Sequence, residues 1–464
     1  MKADKIHISQ FDFLSIEKLE IDSKVGEHTS ACLRGAVRDE DVEEYRRLLS
    51  ERTWVKITAE DEDGTMRILL NGIIAGFSLE KLQHEYVLEI ILKSGTCLMD
   101  ARKHFRSFQN QAFTYLDVMK IINQSYQESG VEVEKSVDTA VDFLLQYQET
   151  DWEFIKRIAS HFGLPVTPDN TRKGVFYRVG NIYHVSRKLS NTAGYCISRE
   201  INAFMLNGTN ETVSFREHDY MEYQISTREI YGLWDALIFV NHQGYIRCIH
   251  SEYRHGELVN DYTICPAEGM GVNRIFNDCQ QGCSFMAEVK AVMQDKVQVT
   301  LVDDENKGQT SGRWFPYSTG YSSVDGAGWY CMPEMGDKVR LQIPDHMEEH
   351  GYVISAVHNP AESGHKIPDH KSFKTRYGKE LLFTPDRIEL TNNQGMSIRM
   401  IDGEGIQIVS DKNIAITAGG SMTISSQNAS LVIAGTESVD VRQGEAGLHM
   451  DNDITFTGGK FRIQ

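Results

Sequence analysis

Along residues 388–463 the apolar positions fall in pairs spaced i, i+2: Ile388/Leu390, Ile398/Met400, Ile406/Ile408, Ile414/Ile416, Met422/Ile424, Leu431/Ile433, Val439/Val441, Leu448/Met450, Ile454/Phe456 and Phe461/Ile463. From 398 to 448 the first members advance by 8, 8, 8, 9, 8 and 9 residues, with turn residues such as Asp402-Gly403 and Gly419-Gly420 between them. An i, i+2 pair lies on one face of a strand, so each repeat is one short strand with a single apolar face. A lone chain has difficulty covering such strands, because a coil shorter than ~20 residues usually needs a partner surface. Three chains wrapped about a common axis bury every pair, and each Ile or Val so buried contributes about 1.5 to 3 kcal/mol. The pattern predicts a trimeric β-prism, with Ile398, Met400, Ile406, Ile408, Ile414, Ile416, Met422, Ile424, Leu431, Ile433, Val439 and Val441 as its core. The strands of an ordinary sandwich are the rival reading, and the fixed step disfavours it.

Upstream, short apolar runs separated by turns predict antiparallel β structure at 54–58, 68–77 and 86–92, with Asn71-Gly72 as a two-residue hairpin turn. The period then changes. Phe113, Leu116, Met119 and Ile122 share one face of a helix over 113–126. A second helix starts at the capping box Thr150-Asp151-Trp152-Glu153, buries Trp152, Ile155, Ile158 and Phe162, and ends at Gly163 and Pro165. β-like segments return at 175–179, 222–225, 237–240 and 245–250. Four more, at 285–292, 296–302, 338–343 and 352–357, fit a small closed barrel followed by a Pro- and His-rich linker.

The chain has 464 residues, enough for several domains, with 41% hydrophobic and 25% charged residues, the balance of a folded protein. Its net charge of -18 opposes nucleic acid and anionic membranes, so no nucleic-acid partner is expected. Residues 1–13 lack the apolar run of a signal peptide, and no 18-residue apolar stretch occurs, so neither Sec export nor a membrane span is expected. Eight scattered cysteines without a C-x-x-C pair, Cys279 and Cys283 being nearest, read as reduced thiols in a cytoplasmic protein.

Three stretches together resemble the VgrG-like hub and spike proteins of contractile injection systems, a family that includes phage tail hubs and spikes. They are Tyr147-Gln148-Glu149-Thr150-Asp151-Trp152-Glu153-Phe154-Ile155; then Met332-Pro333-Glu334-Met335-Gly336-Asp337-Lys338-Val339 with Gly351-Tyr352-Val353-Ile354-Ser355-Ala356-Val357-His358-Asn359; and Lys374-Thr375-Arg376-Tyr377-Gly378-Lys379-Glu380. They follow the family's order over nearly the whole chain. The resemblance implies a mainly β homotrimer: a β-barrel hub over 1–280 with a helical insertion at about 105–170, an OB-fold over 281–360, a linker over 361–374, and a triple-stranded β-helix over 375–464. It further implies a place between baseplate and inner tube on one side and a PAAR-like tip protein on the other, with Phe456, Phe461 and Ile463 as the platform for that tip. Type VI secretion, phage tail and tailocin-like machines all use such a part. Assembly would be cytoplasmic, delivery outward on contraction. Target membranes would be met by mechanical puncture, with effectors as cargo.

Catalytic signatures are weak by comparison. His346-Met347-Glu348-Glu349-His350 matches H-x-x-E-H, but it lies between two strand segments with no room for the helix a zinc site needs, and reads as a charged loop. Asp61-Glu62-Asp63-Gly64 reads as a surface turn, since Gly72 stands where a calcium loop needs Glu. No nucleotide loop or nucleophile elbow occurs. No enzyme activity, metal or cofactor is expected. The alternative from another class is a trimeric tail fibre or polysaccharide-degrading spike, which requires paired carboxylates in a groove; Asp402, Glu404, Asp411, Glu437 and Asp440 fall mostly at turns.

Overall fold

The computed structural model describes residues 6–50, 53–83, 85–182, 186–189, 194–199, 216–240, 242–307, 312–355, 367–460 and 462. It divides into two compact units, Met1–Val357 and His358–Gln464. Both are mainly β.

The first unit is built on a 12-stranded sheet. Residues 6–94 supply one half, in the order Ile6–Ile8, Trp54–Glu60, Met66–Leu82, Glu85–Ser94, Ser30–Val37 and Phe13–Lys24. The last of these pairs with His242–Arg254, which continues through Glu257–Cys265 and Met221–Thr227 to Cys196–Arg199. Alternation fills two cores, one around Leu19, Leu33, Ile57, Leu70 and Leu88, the other around Leu237, Phe239, Ile246 and Ile264.

Asn71-Gly72 does not turn the chain. Met66–Leu82 runs straight through it for 17 residues, and neither residue has positive φ. The Asn71 N–H donates to the Asn170 carbonyl at 2.7 Å, and a Cβ on Gly72 would come within 2.9 Å of the Lys93 carbonyl oxygen. The glycine is needed for close strand approach, and tertiary pairing overrides the local turn signal.

In the sequence, between the segments that form the two halves of the sheet, comes a layer with helices α2 (Tyr115–Asn123) and α3 (Asp151–Ser160); α1 is Val42–Ser50. Both α2 and α3 open with capping boxes, Thr114 with Asp117 and Thr150 with Glu153. Trp152, Ile155 and Ile158 are buried as the periodicity predicts, while Phe162 packs at the edge of the same core. The strand Leu144–Thr150 serves two cores by its period of two: Leu144 faces the helices, while Phe143 and Leu145 join a core with Phe285, Val297, Leu301, Phe315 and Leu341. That third core fills five antiparallel strands, in the order Phe315–Pro316, Lys296–Leu301, Ser284–Met293, Lys338–Gln342 and Tyr352–Ile354. A parallel bridge from Tyr317 to Val353 closes them into a barrel.

Buried charge ties this barrel to the helical layer. Arg157, 1% exposed, donates to Glu149 through Nε at 2.7 Å and Nη2 at 3.0 Å, to Glu348 through Nη1 at 2.8 Å, and to the Leu145 carbonyl. Glu348 comes from the barrel loop and also accepts from Gln280 at 3.0 Å. Burial disfavours the guanidinium charge, yet Glu348 and Glu149 hold its pKa above the ordinary arginine range. For Glu348 burial pushes up and Arg157 outweighs it, leaving the carboxyl below its usual value. A second seam joins Lys103–Phe108 to the barrel: Asp304 accepts the Ser107 N–H at 3.0 Å, and Glu305 contacts His104 at 2.9 Å. Behind it, Asp151 receives Arg106 at 2.8 Å, Gln146 at 2.9 Å and Tyr126 at 2.8 Å.

Two outcomes follow. Arg157→Leu strands two buried carboxylates and is expected to lower the stability of the first unit by about 3–5 kcal/mol in chemical unfolding; a loss below about 1 kcal/mol would contradict the seam. Burial drives the His161 imidazole from 6.5 down to about 4 beside Tyr115, with Arg157 and Arg274 adding to the depression and Glu348 opposing it. Between those values the unfolded chain takes up a proton that the folded one refuses, so stability falls as pH falls through that window, by about 3 kcal/mol. The difference between wild type and His161→Gln, followed from pH 7 to 4, is expected to carry that slope.

Candidate functional site

In the second unit the strands Lys371–Lys374, Glu380–Phe383, Arg387–Thr391, Ser397–Ile401 and Gly405–Val409 form an antiparallel meander. Its register aligns the apolar pairs across every strand. One row runs Phe373, Leu381, Leu390, Ile398, Ile408; the other runs Phe383, Ile388, Met400, Ile406. The alternate positions carry charge: Glu389 stands opposite Arg399, which donates to it at 2.8 Å, and Arg387 approaches from 3.3 Å. Among the described residues nothing covers the apolar face. Ile398 is 41% exposed, Met400 50%, Ile406 71% and Ile408 58%.

A second, smaller meander, Val439–Gln443, Ala446–Met450 and Ile454–Thr457, repeats the design, with rows Val439, Met450, Ile454 and Val441, Leu448, Phe456. Between the meanders, residues 410–438, all described, form no strand. Yet they carry three of the apolar pairs, Ile414/Ile416, Met422/Ile424 and Leu431/Ile433, exposed at between 47% and 69%. The structure thus brings Ile398, Met400, Ile406 and Ile408 together on one sheet and places Val439, Val441 and Phe456 on the other. The six residues between stand apart in the single chain. Phe461 and Ile463 lie outside the described residues.

Continuous apolar rows of this extent mark a surface built to be covered. The chemistry of a glycan site is not assembled beside them. Asp402 and Glu404 occupy an exposed turn, while Asp440 sits below its ordinary pKa because it pairs with His449 at 2.9 Å and with Arg442 at 3.2 Å. Nor does H-x-x-E-H gather a site: His350 pairs with Asp345, His346 meets Phe276 edge-on, and the loop's buried acid, Glu348, pairs with Arg157. Among the described residues no group of three or more His, Cys, Asp or Glu is placed to hold a metal, and no helix is long and apolar enough to cross a membrane.

The segment 147–155 acts inside the fold: Glu149 and Asp151 are the buried partners of Arg157 and Arg106, and Thr150 and Glu153 close the helix cap. Arg157 itself escaped the sequence reading. Its signal was a charge three residues after Phe154, on the apolar side of α3.

Residues 33–190 match the family of the phage tail baseplate hub (GPD). An E. coli protein described as a component of the type VI secretion system, structurally similar to T4 bacteriophage tail proteins gp27 and gp5, superposes with a TM-score of 0.55 at 13% identity, covering 76% of this chain and all of that one. A chain of the Francisella PdpA-VgrG complex in its lidded form gives 0.58 at 11% identity, covering 85% of this chain and 76% of that one. No curated protein matches the chain. The fold is that of the VgrG-like hub and spike proteins.

Ile398→Asp combined with Ile408→Asp sets two carboxylates side by side in the apolar face. The pair is expected to abolish self-association while leaving the near-ultraviolet circular dichroism of Trp54, Trp152, Trp234 and Trp314, measured in a Trp329→Phe background, unchanged, because these four tryptophans lie in the first unit. Association persisting at wild-type strength would show that the face is not the contact.

Proposed function

We propose that the chain is the homotrimeric spike of a contractile injection machine. The apolar ladder carries this reading: one row across five strands and a second across four, continued by an eight-residue repeat into a segment that pairs with no strand among the described residues. Other copies supply the missing cover and edges. Wrapping three copies about an axis gives the free edge of Gly405–Val409 and the unpaired backbone of 410–438 neighbours from adjacent chains, and it turns every Ile and Val pair inward. Closure of all edges makes a stiff rod suited to transmitting force.

On this reading residues 1–280 form the hub against the baseplate and inner tube, the closed five-stranded barrel is an OB-fold collar, and the terminal repeats, from Phe456 onward, seat a PAAR-like tip protein. Work is mechanical, without turnover. Contraction drives the tip through a target envelope, and effectors travel with it.

Light scattering tests the trimer. The full chain is expected at three times its 52.7 kDa mass, and a chain ending at residue 374 is expected to fall to one. A full chain that stays monomeric at micromolar concentration would overturn the proposal.

A further inference from the structure

The barrel carries a second uncovered surface, unrelated to the octads. Between Phe315–Pro316 and Lys338–Gln342 the chain makes a hairpin arm over 317–335. It is anchored at its root, where the Ser318 N–H donates to the Val353 carbonyl at 2.8 Å and Tyr317 and Met332 pack against the barrel core. Further out, the Trp329 N–H donates to the Tyr321 carbonyl at 2.9 Å, Ser322 bridges Gly328, and Thr319 Oγ1 donates to the Trp329 carbonyl at 2.7 Å. Gly328 has φ +154, and a Cβ there would meet the Tyr321 carbonyl at 2.5 Å, so the crossing requires glycine. The Tyr330 hydroxyl donates to the Gln294 carbonyl at 2.9 Å, which fixes its ring beside the barrel.

This ordered arm presents its largest side chains to solvent. Tyr321 is 53% exposed, Trp329 70%, Tyr330 74% and Met335 71%, with Val324 fully exposed at the tip. Trp and Tyr supply much contact area at low rotamer cost and dominate the energetics of protein interfaces. Residues 317–335 contain two charges, Asp325 and Glu334, in a chain of which 25% is charged.

We propose that the arm docks onto the barrel of a neighbouring copy of this chain within the trimer. Two observations select that occupant. Copies at -18 each repel, so contact between them favours a sparsely charged surface, and the arm is one. The barrel's last strand ends at Ile354, and the second unit is described from Ile367, so the connecting chain reaches at most about 45 Å. Copies joined through their second units therefore hold their barrels within reach of one another, at effective concentrations in the millimolar range. The inference rests on the trimer and adds an interface in the first unit.

A photo-crosslinking amino acid placed at Trp329 in the full chain tests it, with mass measured on the same sample by light scattering. The position is exposed in the single chain, so the substitution leaves the barrel core intact. Expected are crosslinked products at two and three chain masses, with the attachment mapped by mass spectrometry to residues 284–354 of another copy. As an independent readout, hydroxyl-radical footprinting is expected to show Trp329 and Met335 protected in the unmodified protein. A trimer that gives only single-chain products and leaves Trp329 freely oxidised overturns the arm inference and spares the spike. A monomeric sample overturns both.

Discussion

A guanidinium removed from water must be held by opposite charge and a full set of acceptors, and Arg157 has both only where two parts of the molecule meet. Glu149 comes from the strand leading into α3, and Glu348 from a loop of the barrel. The geometry is satisfied when the barrel is docked and nowhere else. Such a pair adds modest net stability over an apolar isostere, but it penalises every misdocked arrangement heavily. With the Asp304 and Glu305 seam it joins layer and barrel by directional bonds, in addition to the shared core of Phe143, Leu145 and Phe285.

The second unit obeys the opposite economy. Its strands satisfy their charges locally, Glu389 between Arg387 and Arg399, and leave the apolar face bare. In the proposed trimer other chains supply the cover. In the first unit polar specificity is internal, and in the second apolar area stays exposed on the single chain. The likeness of residues 33–190 to baseplate hubs and the VgrG-like fold of the chain accord with that division.

Much of this was legible beforehand, for physical reasons. Period-two pairs on an eight-residue step show the apolar face wherever the segment is a strand, because a strand puts i and i+2 on one face, but they do not by themselves make 410–438 a strand in the single chain. The capping box at Thr150 is equally local, each partner lying three residues from the other. Asn71-Gly72 misled because the same dipeptide serves a hairpin turn and a close strand approach, and only the Lys93 carbonyl beside Gly72 decides between them. The arm at 317–335 went unread since its bonds depend on a closed barrel.

By itself, then, the sequence determined the mainly β class, helices α2 and α3 though not α1, the repeat and the side of each strand that is apolar, because those depend on contacts within a few residues. The tertiary structure alone decided that Arg157 meets Glu348, 191 residues away, that Leu144 and Leu145 face different cores, and that Trp329 stands in solvent. Each of those is set by partners distant in the chain, whose approach no local pattern encodes.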